Sequence, residues 1–185
     1  MRTVSVVLVV GMAVLLAGCP TGSLQPLYTE QDLIFDPGLV GTWTNKDGKE
    51  TWDVKRSGEK SYDVLCTVEG EPHWFKLHLL QLGVYRFLDL YPKEKLSFKN
   101  GFFASHWIPA HMFYRIRNHG DILQVAGVEN EFLMRLVAAK KTRIAQKVDD
   151  EVGLTGSTKE LQEYVLRYVE VQEAFTGPEE YHRVK

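Results

Sequence analysis

Residues 62–91 read Tyr62-Asp63-Val64-Leu65-Cys66-Thr67-Val68, Glu69-Gly70-Glu71-Pro72, His73-Trp74-Phe75-Lys76-Leu77-His78-Leu79-Leu80-Gln81-Leu82, Gly83, Val84-Tyr85-Arg86-Phe87-Leu88-Asp89-Leu90-Tyr91. Tyr62, Val64, Cys66 and Val68 alternate with more polar neighbours, the period of a half-buried strand. Glu69 to Pro72 is a turn leading into a strand over Trp74–Leu82. Gly83 reverses the chain into a strand over Val84–Tyr91, which Pro92 stops. The same pattern extends in both directions. Thr51–Arg56 alternates Trp52 and Val54 with Thr51, Asp53 and Lys55. His111–Arg117 and Asp121–Ala126 form a hairpin across Asn118-His119-Gly120, and Lys99-Asn100-Gly101 marks a further turn. Short strands at regular spacing predict an antiparallel barrel or sandwich, or a strongly curved sheet.

After residue 127 the period changes. Phe132, Leu133, Leu136 and Val137 make one helical stripe, predicting a helix at about 131–141. Ser157-Thr158-Lys159-Glu160 is a capping box opening a second helix, about 158–173, with Leu161, Tyr164, Val165, Tyr168 and Val169 on one side. Gly177-Pro178 ends it, and Tyr181–Val184 is a short closing strand. The expected class is mainly β with C-terminal helices.

The N-terminus has a separate logic. Arg2 precedes an uncharged run from Val4 to Leu16, the layout of a secretory signal and too short to span a bilayer as a helix. Leu16-Ala17-Gly18-Cys19 resembles the lipobox of bacterial lipoproteins. That resemblance implies that residues 1–18 are removed and that the Cys19 thiol and amine carry acyl chains, palmitate among them. It also implies a cell-envelope location, and Pro20 after the cysteine implies the outer membrane, periplasm-facing, in a Gram-negative host. Residues 19–38, rich in Pro, Gly and Ser, read as a lipidated tether on which Leu33, Ile34 and Phe35 dock to the core, with one β-rich domain at 39–185.

Composition narrows the partners. The formal charge of −2 argues against nucleic acid, and Lys140-Lys141-Thr142-Arg143 reads as a solvated helix end, with contact to anionic head groups as the alternative. With Cys19 carrying lipid, Cys66 has no intramolecular disulfide partner, and its strand pattern makes it a buried small hydrophobe.

No catalytic set emerges. His73 and His78, five apart on one strand, face opposite ways and cannot share a metal. His106 and His111 flank a bend at Pro109, but further zinc ligands are missing. Asp89 places a charge in an apolar strand, with Arg86, Arg115 or Arg117 as ion-pair partners. Ser105 adjoins His106 without a nucleophile elbow, and no phosphate loop or Rossmann glycine run is present. Neither a cofactor nor an enzymatic activity is expected.

Gly41-Thr42-Trp43 resembles the Gly-x-Trp signature of lipocalins, and meandering strands followed by a helix and a short strand resemble their plan. The resemblance implies a lipocalin-like barrel with Trp43 plugging one end and a small apolar or amphipathic ligand inside. Trp52, Phe75, Tyr85, Phe87 and Tyr114 are the candidate lining residues. Two alternatives stand beside it. One is a non-catalytic interaction module with a filled core, meeting an envelope protein through Tyr164 and Tyr168. The other is an enzyme in which His106, His111 and Asp89 converge.

Overall fold

The computed structural model describes residues 21–93, 108–148 and 151–185. The signal segment, Cys19, the Lys99–Gly101 turn, Ser105 and His106 lie outside the described residues. In chain order the elements are β1 (Gly22–Ser23), β2 (Leu33–Ile34), β3 (Gly41–Asn45), β4 (Glu50–Arg56), β5 (Tyr62–Val68), β6 (Glu71–Leu82), β7 (Tyr85–Pro92), β8 (His111–Asn118) and β9 (Ile122–Gly127). Then come α1 (Asn130–Ala138), β10 (Ala145–Val148), β11 (Glu151–Leu154), α2 (Thr158–Tyr168) and β12 (Glu179–Arg183).

Strands β3 to β9 pair antiparallel in sequence order, and β12 joins β9 to β3, closing an eight-strand antiparallel barrel. Closure gives each of these eight strands a partner on both sides. The turn read at Glu69–Pro72 is tighter than the sequence suggested, with Glu71 and Pro72 already paired to β5. Glu69 and Gly70 both take positive φ in the two-residue β5–β6 hairpin, and Gly83 does so at the first position of the β6–β7 hairpin.

Side-chain alternation divides the apolar residues between two cores. Inward go Trp43, Trp52, Val54, Tyr62, Val64, Cys66, Leu77, Leu79, Leu88, Leu90, Leu123, Val125 and Tyr181. The outer face of β6 to β9 carries Leu80, Leu82, Phe87, Phe113 and Ala126, and is covered by α1, α2 and β11 through Leu133, Leu136, Leu161, Val165 and Leu154. A strand covered on both faces reads as a continuous apolar run. That is why Phe87, Leu88, Asp89 and Leu90 are all buried.

One end of the barrel is sealed by the incoming chain. Asp36 caps a 3-10 turn, Pro37–Leu39, by accepting from the Gly38 amide at 2.8 Å. Trp43, fully buried, donates its indole N–H to the Leu39 carbonyl at 2.9 Å. The Arg183 guanidinium lies 4.2 Å over the Trp43 ring and donates to the carbonyls of Val40 and Gly38. Tyr62 completes the seal, donating to the Asp36 carbonyl and accepting from the Asp36 amide.

The segment read from sequence as a tether is, from Thr21 onward, integrated with the domain. β1 pairs with β8 and β11, and β2 pairs with β6. Leu27 is fully buried, Gln162 of α2 donates to its carbonyl, and Thr158 donates to that of Pro26. The helices occupy Asn130–Ala138 and Thr158–Tyr168. Residues beyond Tyr168 turn into a short 3-10 segment, Gln172–Ala174. The capping box is present as read, with Glu160 and Ser157 exchanging side chain to backbone bonds.

Candidate functional site: the aromatic end of the barrel

Opposite the sealed end lies the other rim of the barrel, its mouth, bounded by the turn between Asn45 and Glu50, the β5–β6 hairpin and the start of β8; the β7–β8 connection at this end, residues 94–107, lies outside the described residues. Inward positions toward this end include Glu50 and Trp52 on β4, Cys66 on β5, His73 and Phe75 on β6, Met112 and Tyr114 on β8, and Glu179 and Tyr181 on β12. Trp52 is the hub. Its ring meets Tyr181 at 5.0 Å between centroids and Tyr114 edge-on at 6.2 Å. Its indole N–H donates to Glu50 Oε1 at 2.7 Å, giving the buried polar edge the partner it requires. Phe75 and Tyr114 are half-buried against this cluster.

The electrostatics of the mouth are those of a dry site with a negative rim. Burial, reinforced by the Glu50 carboxylate, pushes the Cys66 thiol up to about 12, so it stays protonated and inert. Burial likewise raises the Tyr114 and Tyr181 hydroxyls, with Glu50 and Glu179 adding to the effect, so both remain neutral. The Tyr181 hydroxyl donates to Glu179 at 3.4 Å, and that of Tyr114 meets only the Met112 sulfur at 3.8 Å, a weak acceptor. The mouth therefore gathers buried Trp52 and Tyr181, half-buried Phe75 and Tyr114, an underused hydroxyl and two carboxylates.

Of the five candidate lining residues, Trp52, Phe75 and Tyr114 come together here. Tyr85 and Phe87 do not. Leu88 and Leu90 take the inward positions of β7, so the alternate residues Tyr85 and Phe87 turn outward beneath the helices. Glu50, Tyr181 and Glu179 went unread in the sequence. Glu50 opens the Thr51–Arg56 alternation in phase with Trp52 and Val54, a signal that was available. Tyr181 depends on β12 closing the barrel, which only the fold shows.

Asp89 also turns outward, away from the barrel interior. It pairs with none of Arg86, Arg115 and Arg117. Fully buried, it accepts from the Leu27 amide at 2.8 Å and meets His111 Nδ1 at 2.7 Å. Arg86 instead pairs with Asp36. Tyr91 stacks on His111 at 4.5 Å, and Tyr28 on His78 at 4.4 Å. Asp89 and His111 thus form one of the contacts an enzyme would need, set beneath the N-terminal segment. Among the described residues no group of three potential metal ligands forms. Tyr164, expected on an exposed edge, is buried in the outer core because α2 lays that face on the barrel.

Comparison with protein-family models, with curated proteins and with solved structures finds no match to this chain.

Proposed function

We propose that this protein is a lipid-anchored envelope protein whose barrel mouth binds a small amphipathic molecule with an uncharged or cationic head. One observation carries the reading: Trp52, Phe75 and Tyr114 share the inward face at the single end of the barrel not sealed by residues 35–40, beside the carboxylates of Glu50 and Glu179. An apolar chain gains about 25 cal/mol for each Å² it buries against such aromatic surface. The two carboxylates select the head group. A free fatty acid would bring a third like charge to this negative rim, which is unfavourable, whereas an alcohol, an ester or an amine supplies the missing donors or charge. The deep interior around Trp43 and Tyr62 is occupied by packed side chains, so the ligand sits at the mouth and not through the whole barrel.

The lipoprotein half of the reading rests on the Leu-Ala-Gly-Cys motif and on distance. Cys19 is three residues before Gly22, so covalent geometry holds it within about 10 Å of that residue. Gly22 pairs with Met112, on the mouth. An anchor at Cys19 would bring the mouth close to a bilayer, the reservoir of amphipathic molecules.

Dodecylamine, dodecanol and dodecanoate, which share a tail and differ in head, test the ligand reading through Trp52 fluorescence. Amine and alcohol are expected to bind at least about tenfold more tightly than the carboxylate, a difference of about 1.4 kcal/mol. Trp52→Phe should remove most of the signal change and Tyr114→Ala should weaken binding. Equal binding of all three, or binding untouched by Tyr114→Ala, would sink the proposal. Metabolic labelling with palmitate, lost in Cys19→Ala, tests the anchor.

A further inference from the structure

A second site lies on the opposite side of the sheet wall, between the loop after α1 and the outer edge of α2. Here a groove of about 190 Å³ is lined by Lys141, Arg143, Arg167, Tyr164, Glu160 and Glu163. Its walls are fixed relative to one another. The Ile144 carbonyl accepts from the amides of Thr155 at 2.7 Å and Gly156 at 3.0 Å. Gly156 permits that approach, since a Cβ there would meet the Ile144 Cβ at 2.9 Å. The basic loop is therefore clamped to the start of α2, and α2 itself is pinned by its capping box.

The groove's polar groups are unequally satisfied. Glu160 is committed, its Oε2 accepting from the Ser157 amide at 2.9 Å and hydroxyl at 2.6 Å. Among the described residues neither Lys141, Arg143 nor Arg167 makes an ion pair. Tyr164, only 5% exposed, has a hydroxyl with no hydrogen-bond partner among the described residues. Burial holds that hydroxyl protonated, so it is a donor. A buried donor without an acceptor calls for one.

We propose that this groove binds a phosphate group, held by Arg143, Arg167 and Lys141 with the Tyr164 hydroxyl as the buried donor. Tetrahedral phosphate offers acceptors in several directions at once, and guanidinium groups meet it with paired N–H donors. Glu163 is the counterweight that keeps the empty groove from excess positive charge. The site is independent of the barrel mouth, and either can fail without the other. The phosphate has two sources, a soluble phosphorylated molecule or a phospholipid head group, and both present the same chemistry to these residues.

The test is an NMR titration of the full chain in neutral maltoside micelles, following the Arg Nε–H signals and the amides of residues 141–144. One arm adds inorganic phosphate against chloride at matched ionic strength. The other adds phosphatidylcholine bicelles with and without phosphatidylglycerol. Saturable shifts confined to the groove are expected in at least one arm, and the arm identifies the source. The double substitution R143Q/R167Q should weaken binding by about tenfold or more, the loss of two charge-assisted contacts. Glu163→Gln should tighten it by about threefold, because a competing charge is gone. The tightening guards against misreading a folding defect in the double variant. No saturable shift in either arm would overturn the proposal. So would shifts that match those at the remote Lys46 and Lys49 and survive R143Q/R167Q.

Discussion

Asp89 interrupts a run of buried apolar residues on β7, and its surroundings explain how a carboxyl group is tolerated there. It has two close partners, the Leu27 amide and the His111 ring, each within 2.8 Å. Taking a hydrogen-bonded carboxyl group out of such a setting leaves the partners unsatisfied, which costs more than the bond itself contributes. Asp89→Ala is expected to destabilise the protein by about 2–3 kcal/mol, read from urea unfolding at neutral pH. It should also loosen residues 24–32, seen as faster amide exchange there than in β4 and β5. His78, next to Asp89 across the β6–β7 pair, makes a pH prediction. Burial is the main cause that lowers its pKa below the ordinary 6.5, with Lys76 and His111 acting in the same sense and Asp89 and Glu30 opposing. The fold therefore favours neutral His78, while the unfolded chain takes up a proton below about pH 6.5. Its contribution is complete above that pH and is lost as pH falls toward the lower folded value. His78→Phe, which keeps the ring against Tyr28, should flatten stability between pH 7 and pH 5. An unchanged slope in the variant would show that His78 is not responsible. The sequence supplied the anomaly at Asp89 but not its resolution, since Leu27 lies 62 residues away and no local pattern links the two.

Among the elements, those that carry their own period were readable. β5 occupies the Tyr62–Val68 span its alternation marks, and β4, β8 and β9 fall within a residue of theirs. β1, β2, β10 and β11 are too short to show a period, and they form because neighbouring strands offer unpaired backbone. The candidate site was half legible for a related reason. Alternation on β4 separates Trp52 and Val54, which face inward, from Thr51, Asp53 and Lys55, which face outward. On β7 both faces are apolar, so inside and outside cannot be told apart without knowing that helices cover the outer one. β3 illustrates an element whose first residue governs a distant contact. Gly41 has φ of +135°, and a Cβ there would sit 2.4 Å from Arg183 Nη1. Gly41→Ala would strain the backbone and drive Arg183 from the Trp43 face and from the carbonyls that seal the barrel. A loss of about 2–4 kcal/mol is expected, combining overpacking with an unfavourable φ. Near-ultraviolet circular dichroism, which reports the Trp43 environment, should change in step. A stable variant with an unaltered spectrum would mean that Arg183 does not hold the plug.

For the molecule as a whole, the two ends of the barrel are chemically unlike, and the proposed anchor makes the difference directional. Residues 35–40 seal one end, while the other carries the aromatic mouth and the strand pairing of Gly22. If Cys19 bears lipid, a connection of about 10 Å cannot carry the body far from the surface, and the mouth end lies nearer the bilayer than the sealed end. β5 provides an axial ruler, because Val68 sits at the mouth and the turn containing Lys60 at the sealed end. Its seven residues span about 20 Å at 3.3 Å each. Spin labels placed by Val68→Cys and Lys60→Cys, both exposed positions, would report their distance from nickel-chelating lipids in vesicles bearing the acylated protein. Cys66 is buried with its thiol pushed up to about 12, and leaves the labelling chemistry to the introduced cysteines. Relaxation should be stronger at Val68 than at Lys60. Equal relaxation would mean that the body tumbles on a longer leash, and the reverse order would point the sealed end at the membrane. Either result would separate the aromatic mouth from the reservoir of ligands that gives it a purpose.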